Sequence, residues 1–373
     1  MKGQDTESTS TKTIRLDAGK TQGWAAMLFT ACGMPADDAT QLAFGVVQPS
    51  VRGVDSHGLI RIPQYLENLS QGRVNPNPKM SFITEFGGIA VLNADNGSGH
   101  VASARAMRRA IELARAFGIA SVSVRDSSHF GAAATWAALA ADEDCIGMVW
   151  TNGPPVMPPT GGKEARLSNN PIAVAVPANQ HPTVILDIAM SIAAGGKLRL
   201  AMMEGRSIPS DWALTKEGEP TTDPREATAG LLLPIGGHKG YGLAFIGDVL
   251  SGVLSGSLFG PDVRSQGVAA IGQKVDTRGG SKLGVGHFCM VIDVSKFMPV
   301  QEFKSRMDAL IDQMHSSPPM PGFDRVWVPG EIENETAIER RATGIPIPVA
   351  VFTAIEKAAA RVGQTVPTDL RLS

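Results

Sequence analysis

The first residues whose types could do chemistry together are residues 55–58, Asp-Ser-His-Gly, which are followed by Arg61 and Tyr65. If residues 60–69 are helical, Arg61 and Tyr65 lie four residues apart and share one face. A guanidinium binds a carboxylate through two parallel hydrogen bonds, and the imidazole of His57 can carry a proton. This spacing predicts a carboxylate-binding site. The alternative interpretation is a capping turn, formed by Ser56 and His57, beside a surface arginine.

A second candidate is the segment of residues 125–131, Arg-Asp-Ser-Ser-His-Phe-Gly, which follows a predicted strand and precedes a predicted helix. Loops at strand ends are where α/β folds place catalytic side chains. A histidine there, His129, can donate or accept a proton near neutral pH, as the reduction of a carbonyl requires. The alternative is a serine that caps the helix beside an ordinary histidine.

A third candidate is the segment of residues 234–242, in which four glycines surround Lys239. Such a loop can approach a phosphate or a cofactor closely, although it does not match the phosphate-binding pattern G-x-x-x-x-G-K-[ST]. Its residue types alone fit a glycine-rich turn equally well. Asp187 lies in the otherwise apolar run 185–188, where a carboxylate is costly unless it is paired or functional.

The bulk composition limits the classes of protein to consider. The chain has 373 residues, enough for two lobes around a cleft, and 43% of them are hydrophobic. Its formal net charge is −2 and it has no basic tract, which argues against nucleic-acid binding. Three cysteines lie far apart, so we expect no disulfide framework, no zinc cluster and no metal site. His181 and His315 lie in polar loops and are given no role.

Neither end of the chain nor its most apolar stretch predicts a membrane segment. Residues 1–12 are polar and rich in Ser and Thr, which is typical of a frayed N-terminus rather than a signal peptide. Residues 242–260 are apolar but are interrupted by Asp248 and several glycines, which indicates a buried helix and loop. We therefore expect a cytoplasmic protein without a membrane partner.

Hydrophobic periodicity predicts an alternation of helices and strands in the middle of the chain and helices near its ends. The predicted helices are 18–32, 36–51, 60–69, 100–117, 132–141, 241–254, 303–314 and 346–362. The predicted strands are 89–93, 119–124, 145–151, 172–176, 183–188 and 287–294. The Pro- and Asn-rich run 73–79 is a plausible domain boundary.

Residues 97–102 match the dinucleotide-binding pattern G-x-G-x-x-A between a predicted strand and a predicted helix. Asp126 closes the next strand, near the position where a ribose-binding acid would stand. One interpretation is half of a Rossmann fold. The other is a tight turn with close packing, which the position of the motif well inside the chain favours.

Taken together, these segments resemble the malate/L-lactate dehydrogenase family of the non-Rossmann type, over roughly residues 15–345. The family also includes ureidoglycolate and sulfolactate dehydrogenases, diketogulonate reductase and piperideine/pyrroline-2-carboxylate reductases. The matching motifs are collinear, which makes the set more specific than any one of them. They are residues 55–58 with Arg61 and Tyr65, 99–100, 127–131, 151–152, 161–162, 170–171, 186–187, 222–224 and 236–242.

The resemblance implies a mixed α/β fold in which the NAD(P) site is built on a largely antiparallel sheet flanked by helices. It implies a homodimer, and a division into a NAD(P)-binding domain, 76–314, and a helical domain from the chain ends, 1–75 with 315–373. By position it makes His129 the proton donor and acceptor, His57 its competitor, and Ser56, Arg61 and Tyr65 substrate-binding residues. The implied cofactor-binding residues are Asn152, Gly153, Asn170, Pro171, Asp187, Ile188, Ala189, His238, Lys239 and Glu331.

The function that this resemblance implies is hydride transfer between NAD or NADP and C2 of a small 2-oxo or 2-hydroxy carboxylic acid. One alternative is the reduction of a cyclic imino acid such as piperideine-2-carboxylate. Two more distant alternatives are a Ser-His-Asp hydrolase, which lacks a G-x-S-x-G motif here, and a non-catalytic binding protein with the same fold. Adjacent serine and histidine residues rarely face each other, which also argues against the hydrolase.

Overall fold

The computed structural model describes residues 13–264 and 282–372; the predicted polar segment, 1–12, lies outside them. In this part of the chain the strands are β1 Thr13–Leu16, β2 Ser81–Phe86, β3 Ile89–Asn93, β4 Ile119–Ser127, β5 Cys145–Thr151, β6 Ile172–Val176, β7 Val184–Ile188, β8 Ala213–Leu214, β9 Leu231–Leu232, β10 Val285–Asp293, β11 Ile345–Pro348 and β12 Arg371–Leu372. The α-helices are α1 Ala18–Ala31, α2 Ala36–Val51, α3 Ile62–Ser70, α4 Gly99–Phe117, α5 Ala133–Ala141, α6 Gly195–Met203, α7 Pro224–Ala229, α8 His238–Asp248, α9 Val300–His315, α10 Glu331–Thr343 and α11 Val349–Arg361.

The largest sheet has the strand order β2-β3-β4-β10-β5-β6-β7. Neighbouring strands are antiparallel except β3 and β4, which are parallel and joined by α4. The predicted mixed α/β fold on a largely antiparallel sheet is therefore confirmed. Alternate side chains of β5 and β6 are buried, which is the pattern of strands with one face on a core.

Two alanine-rich helices cover this face of the sheet. In α4 the buried residues include Ala102, Ala106 and Ala110, and in α5 they include Ala137 and Ala140. Small side chains let the helices approach the strands closely. At Gly147 in β5, an added Cβ would lie 2.5 Å from the carbonyl oxygen of Ala137, so only glycine fits there.

The G-x-G-x-x-A segment is a packing turn. The backbone N–H of Gly99 donates to Ser128 Oγ at 3.0 Å, and a Cβ on Gly99 would stand 2.1 Å from the Ser128 carbonyl oxygen. Asp126 is paired with Lys282 at 2.8 Å and with Arg125 at 3.3 Å. The structure therefore supports the packing interpretation. The segment matched a dinucleotide-binding pattern because β3, α4 and β4 form a parallel strand-helix-strand crossover, which is the setting in which that pattern occurs.

The two ends of the chain share one hydrophobic core. Strand β1 pairs with both β11 and β12, and buried side chains of α1, α2, α3 and α11 pack together. Residues 346–348 were predicted to be helical, which is wrong: they belong to β11, because Pro346 and Pro348 hold the residues before them in extended conformations. The division of the chain into two domains stays a prediction.

Several other elements differ from the predicted ones. The helix predicted over 241–254 begins earlier, at His238, and continues from Asp248 into a π-helical turn, Val249–Val253. The patterns did not predict β2, an edge strand whose side chains are all exposed, or the highly charged α10. Among the described residues no helix is long and apolar enough to cross a membrane.

Candidate active site

The turn after β4 brings His129 against Tyr65 of α3. The Tyr65 hydroxyl lies 2.7 Å from His129 Nδ1, and the backbone N–H of Gly131 donates to the same nitrogen at 3.2 Å. Because a backbone N–H can only donate, Nδ1 is an acceptor and the neutral ring carries its proton on Nε2. The exchangeable proton is therefore on Nε2, the nitrogen to which neither Tyr65 nor Gly131 is hydrogen-bonded.

His57 lies beside His129, so the two predicted proton carriers are neighbours. Their rings are stacked, with centroids 5.6 Å apart and planes 18° from parallel. His57 Nδ1 lies 2.9 Å from the hydroxyl of Ser56. The expectation that this adjacent serine and histidine would not face each other is therefore wrong, because residues 55–57 form a short 3₁₀ turn.

Arg61 is held at the edge of the same cluster. Its Nε donates to the Ser56 carbonyl oxygen at 2.8 Å, and its Nη1 donates to Gln64 Oε1 at 3.2 Å. These two bonds fix the plane of the guanidinium before any substrate arrives. The structure thus brings together the predicted substrate residues Ser56, Arg61 and Tyr65 with both histidines.

The electrostatics of the cluster favour neutral imidazoles beside one positive charge. Loss of hydration, and secondly the charge of Arg61, lower the pKa of His57 to about 4. The same two causes, followed by the neighbouring histidines, lower the pKa of His129 well below its usual value. Burial raises the pKa of Tyr65, which therefore keeps its proton. At neutral pH these groups present one guanidinium to an incoming anion.

The turn that carries Ser56 and His57 is fixed from two sides. At Gly58 an added Cβ would lie 1.9 Å from Ser50 Oγ, which accepts a hydrogen bond from the Leu59 backbone N–H at 2.9 Å. On the other side, Arg340 of α10 contacts the Asp55 carboxylate at 2.7 Å. Residues near the end of the chain therefore hold a turn near its beginning.

His100 in α4 belongs to the same cluster but was not predicted as a site residue. Its ring packs edge-on against Tyr65, with centroids 5.0 Å apart, and against Trp136 at 5.9 Å. It is fully buried, and among the described residues neither ring nitrogen has a hydrogen-bond partner. Burial lowers its pKa to about 3. The signal that could have indicated it is a histidine on the alanine-rich buried face of α4.

Asp187 marks the second part of the site, at the end of β7. Its carboxylate accepts a hydrogen bond from the backbone N–H of Ala134, at the start of α5, at 2.9 Å. Solvent reaches the residue, but protein atoms surround it on most sides and this loss of hydration raises its pKa to about 6. Because α5 directly follows the His129 turn, the end of β7 lies next to the histidine cluster. Ile188 and Ala189 follow and are half-buried.

The glycine-rich loop lies beside the end of β7. The backbone N–H of Ile235 donates to the Met190 carbonyl at 2.9 Å, and that of Ile192 donates to the Leu233 carbonyl at 2.9 Å. Gly236 and Gly237 then adopt positive φ angles of 56° and 63°, and α8 begins with exposed His238 and Lys239. A helix N-terminus after left-handed glycines, beside a lysine, is suited to a phosphate of NAD or NADP.

The predicted asparagines make hydrogen bonds within the protein. Asn152 Nδ2 donates to Asp248 Oδ1 at 2.8 Å and to the Leu258 carbonyl at 2.9 Å, while its Oδ1 accepts from the Gly286 N–H at 2.8 Å. Asn170 Nδ2 donates to the Ala244 carbonyl at 2.8 Å. These amides connect the sheet to α8 and the loop after it, so they hold the segments that carry the predicted cofactor residues.

The remaining predicted cofactor residues lie around this support. A Cβ added at Gly153 would lie 3.0 Å from Ser168 Oγ. The Pro171 carbonyl oxygen accepts a hydrogen bond from the Thr151 backbone N–H at 3.4 Å. The Glu331 carboxylate accepts from the Val328 N–H at 2.9 Å and lies 3.0 Å from His315 Nε2. Glu331 is therefore engaged with protein groups.

Helix α6 joins the two parts of the site. It follows the segment after β7, and a Cβ added at Gly196 would lie 3.7 Å from the Ser56 Cβ. The start of α6 therefore stands next to the turn that carries Ser56 and His57. Together with the contact of Asp187 to α5, this places the end of β7 and the segment after it next to the histidine cluster in two places.

Comparison with known proteins agrees with this geometry. The family model for malate/L-lactate dehydrogenase matches residues 16–356. A malate dehydrogenase of Pyrococcus horikoshii is 38% identical over 94% of this chain and 96% of its own. The structure of a sulfolactate dehydrogenase from Methanocaldococcus jannaschii superposes with a TM-score of 0.85, at 34% identity, over 94% of this chain and 98% of its own.

A second similar structure is the delta1-piperideine-2-carboxylate reductase of Pseudomonas syringae pvar. tomato. It has a TM-score of 0.81 and 26% identity, over 92% of this chain and 99% of its own. All three similar proteins match nearly the whole chain, and the residues that the family model matches include both parts of the site. The chain belongs to the malate/L-lactate dehydrogenase family.

Proposed function

We propose that this protein is an NAD(P)-dependent oxidoreductase that acts at C2 of a small 2-oxo or 2-hydroxy carboxylic acid. The observation that carries the proposal is the guanidinium of Arg61 held at the edge of two stacked neutral histidines, one of which carries its proton on Nε2. Malate and sulfolactate, named in similar proteins, are both 2-hydroxy acids.

Arg61 binds the substrate carboxylate in the proposed mechanism. Its guanidinium can pair with both carboxylate oxygens, which sets the plane of the substrate as well as its position. The bound carboxylate also cancels one of the charges that lower the pKa of His129. Substrate binding therefore raises the pKa of His129 and prepares it to hold a proton.

His129 exchanges a proton with the C2 oxygen through Nε2. During reduction the ring, protonated on both nitrogens once the substrate is bound, gives its Nε2 proton to this oxygen and keeps a proton on Nδ1, which the Tyr65 hydroxyl oxygen accepts. During oxidation this Nδ1–H form of the neutral ring takes the proton back at Nε2, so turnover changes the tautomer from the Nε2–H form of the resting site and releases the hydrogen bond from the Gly131 N–H. The Tyr65 hydroxyl, 2.7 Å from Nδ1, holds the ring in place throughout. His57, stacked on His129, is the competing proton carrier.

The cofactor side of the proposal uses the end of β7 and the glycine-rich loop. Lys239, His238 and the start of α8 would hold phosphate, and residues Asp187, Ile188 and Ala189 would line the nicotinamide half. Asn152, Gly153, Asn170, Pro171 and Glu331 would support these segments. Bound NAD or NADP supplies or accepts the hydride. We further propose a cytoplasmic homodimer.

The decisive experiment replaces His129 by Asn in the purified full-length protein. We expect kcat to fall by about 10²- to 10⁴-fold, because the general acid and base is lost, with NADH binding nearly unchanged. Tyr65→Phe is the matched control: it keeps the ring contact and removes only the hydroxyl, so its loss should be smaller. Unchanged turnover in His129→Asn would remove His129 from the mechanism.

The similarity to a piperideine-2-carboxylate reductase favours a second candidate, the reduction of a cyclic imino acid. In that reaction Arg61 keeps its role and His129 gives its proton to nitrogen in place of oxygen. Oxidation of NADH and of NADPH should be followed with pyruvate, oxaloacetate, diketogulonate, phenylpyruvate and piperideine-2-carboxylate. Turnover of the imine alone would favour the second candidate, and turnover of an oxo acid the first.

A further inference from the structure

We propose that His181, Asp312 and His315 form a binding site for one divalent transition-metal ion, with Zn²⁺ as the best-matched ion. Each residue offers one ligand atom, and these atoms all lie within 4.8 Å of one another. The sequence predicted no metal site and gave these histidines no role. The site is separate from the histidine cluster at Tyr65, and the inference does not depend on the proposed reaction.

Two segments that are distant in sequence supply the site. His181 lies in the turn between β6 and β7, while Asp312 and His315 lie three residues apart on the last turn of α9. His181 Nε2 is 2.8 Å from Asp312 Oδ1, and the two imidazole rings meet edge-on with centroids 5.7 Å apart. His315 was expected in a loop, but it ends α9, and the helix directs it to the same side as Asp312.

The turn that carries His181 is fixed before any ion binds. Asp308, one helical turn before Asp312, accepts hydrogen bonds from three successive backbone N–H groups, those of Asn179, Gln180 and His181, at 3.1, 3.0 and 3.2 Å. This clamp holds the turn on α9. A pre-formed arrangement reduces the entropy lost when an ion is bound.

Glu331 completes the surroundings of the site. Its carboxylate lies 3.0 Å from His315 Nε2 and is itself held by the Val328 N–H. A carboxylate that partners a ligating histidine fixes the orientation of the ring and increases its basicity. The pair His315–Glu331 therefore has the composition found around bound zinc. The rival interpretation is an ion-pair cluster in which protonated histidines neutralise Asp312 and Glu331.

The donor set selects the class of ion. Imidazole nitrogen suits Zn²⁺, Co²⁺ and Ni²⁺, whereas Mg²⁺ and Ca²⁺ prefer oxygen ligands alone. Two histidines and one carboxylate are the ligands of a tetrahedral zinc ion with one open position.

A bound ion would cross-link the β6–β7 turn, the end of α9 and, through Glu331, the start of α10. The backbone N–H of Ile185 in β7 donates to the Pro329 carbonyl at 3.0 Å, so the segment before α10 is already attached to β7. Because such an ion would bind the folded chain and not the unfolded one, it should raise the unfolding temperature.

The test is calorimetric titration of ZnCl₂ into full-length protein that has been dialysed against a chelator, with thermal unfolding as a second readout. We expect one ion per chain and a higher unfolding temperature with Zn²⁺. His181→Ala and His315→Ala should each weaken binding by at least about tenfold and abolish the temperature shift. Asp312→Asn should also weaken Zn²⁺ binding. The Asp312 side chain is 69% exposed, so the fold should tolerate this change.

His238→Ala is the matched control, because His238 is another exposed histidine and lies outside the cluster. This variant should bind Zn²⁺ as the unaltered protein does. Absence of binding by the unaltered protein at about 100 μM Zn²⁺ would overturn the proposal, since the stabilisation grows with ion concentration relative to Kd. Equal binding by all four variants would overturn it too. Neither readout measures turnover, so failure here leaves the proposed oxidoreductase activity unaffected.

Discussion

At the residue scale, burial and the position of one positive charge together set the protonation of the histidine cluster. Arg61 lowers the pKa of both His57 and His129, second only to the effect of burial. Its hydrogen bonds to the Ser56 carbonyl and to Gln64 hold the guanidinium in one plane. In the proposed mechanism the charge attracts the substrate anion and the fixed plane orients it, which are two separable contributions.

The substitution Arg61→Lys separates these two contributions, because lysine keeps the charge and loses the planar fork. We expect the Michaelis constant for the carboxylate substrate to rise by about 10- to 100-fold, with a smaller change in kcat. Steady-state kinetics with the best substrate of the panel measure both constants. Arg108→Lys, on the outer face of α4, is the control and should leave both constants unchanged. An unaltered Michaelis constant in Arg61→Lys would argue against the carboxylate clamp.

At the scale of elements, close contacts between helix starts and turns position the site. The start of α4 packs on the His129 turn at Gly99, and the turn of His57 packs on α2 at Gly58. In both places an added Cβ would lie within about 2 Å of an oxygen atom of the neighbouring element. These contacts transmit the position of α4 directly to His129 and the position of α2 directly to His57.

Gly99→Ala should therefore disturb both stability and catalysis. A Cβ there lies 2.1 Å from the Ser128 carbonyl oxygen, so α4 and the His129 turn must move apart. We expect a loss of about 1–3 kcal/mol in the free energy of unfolding and at least about a tenfold fall in kcat. Urea unfolding and steady-state kinetics measure these effects.

The matched glycine control is Gly23→Ala within α1, where an added Cβ has no atom within 4 Å. This substitution should leave kcat unchanged and should stabilise the fold by about 0.5–1 kcal/mol, because alanine favours the helix. If the two variants behave alike, close packing at Gly99 is not what positions His129.

At the scale of the whole molecule, burial of neutral histidines makes stability depend on pH. His100 and His287 are fully buried, and loss of hydration lowers the pKa of each to about 3. In the unfolded chain their pKa returns to about 6.5. The unfolded state therefore binds more protons than the folded state, so the stability that these residues contribute is complete above about pH 6.5 and is lost on acidification.

The substitution His100→Leu isolates one of these contributions. Between about pH 6 and pH 4, each fully buried neutral histidine should reduce the free energy of unfolding by about 1.4 kcal/mol per pH unit of acidification. The slope of the free energy of unfolding against pH should differ between the unaltered protein and the variant by that amount. Groups that titrate in both proteins, such as Asp187, contribute equally to the two slopes and do not affect the difference. Urea unfolding at several pH values measures the slopes. Parallel slopes would mean that His100 does not stay neutral in the folded state.

The sequence by itself determined the central elements and the identity of the reactive groups. Regular apolar spacing predicted the central strands and the helices α4 and α5, because a buried face leaves a periodic signal in the chain. The collinear motifs indicated the family, and with it the largely antiparallel sheet. Periodicity alone could not have predicted that sheet, because strand order depends on contacts between residues far apart in the chain.

Only the tertiary structure decided which of these groups meet. His57 stacks on His129, although they lie on separate segments, and Arg340 from near the chain end holds the turn at Asp55. His181 and His315, which the sequence left without a role, converge because a turn is clamped onto the end of α9. The physical reason is the same throughout: side-chain type and local pattern are properties of short segments, whereas proximity, burial and altered pKa values arise from long-range packing.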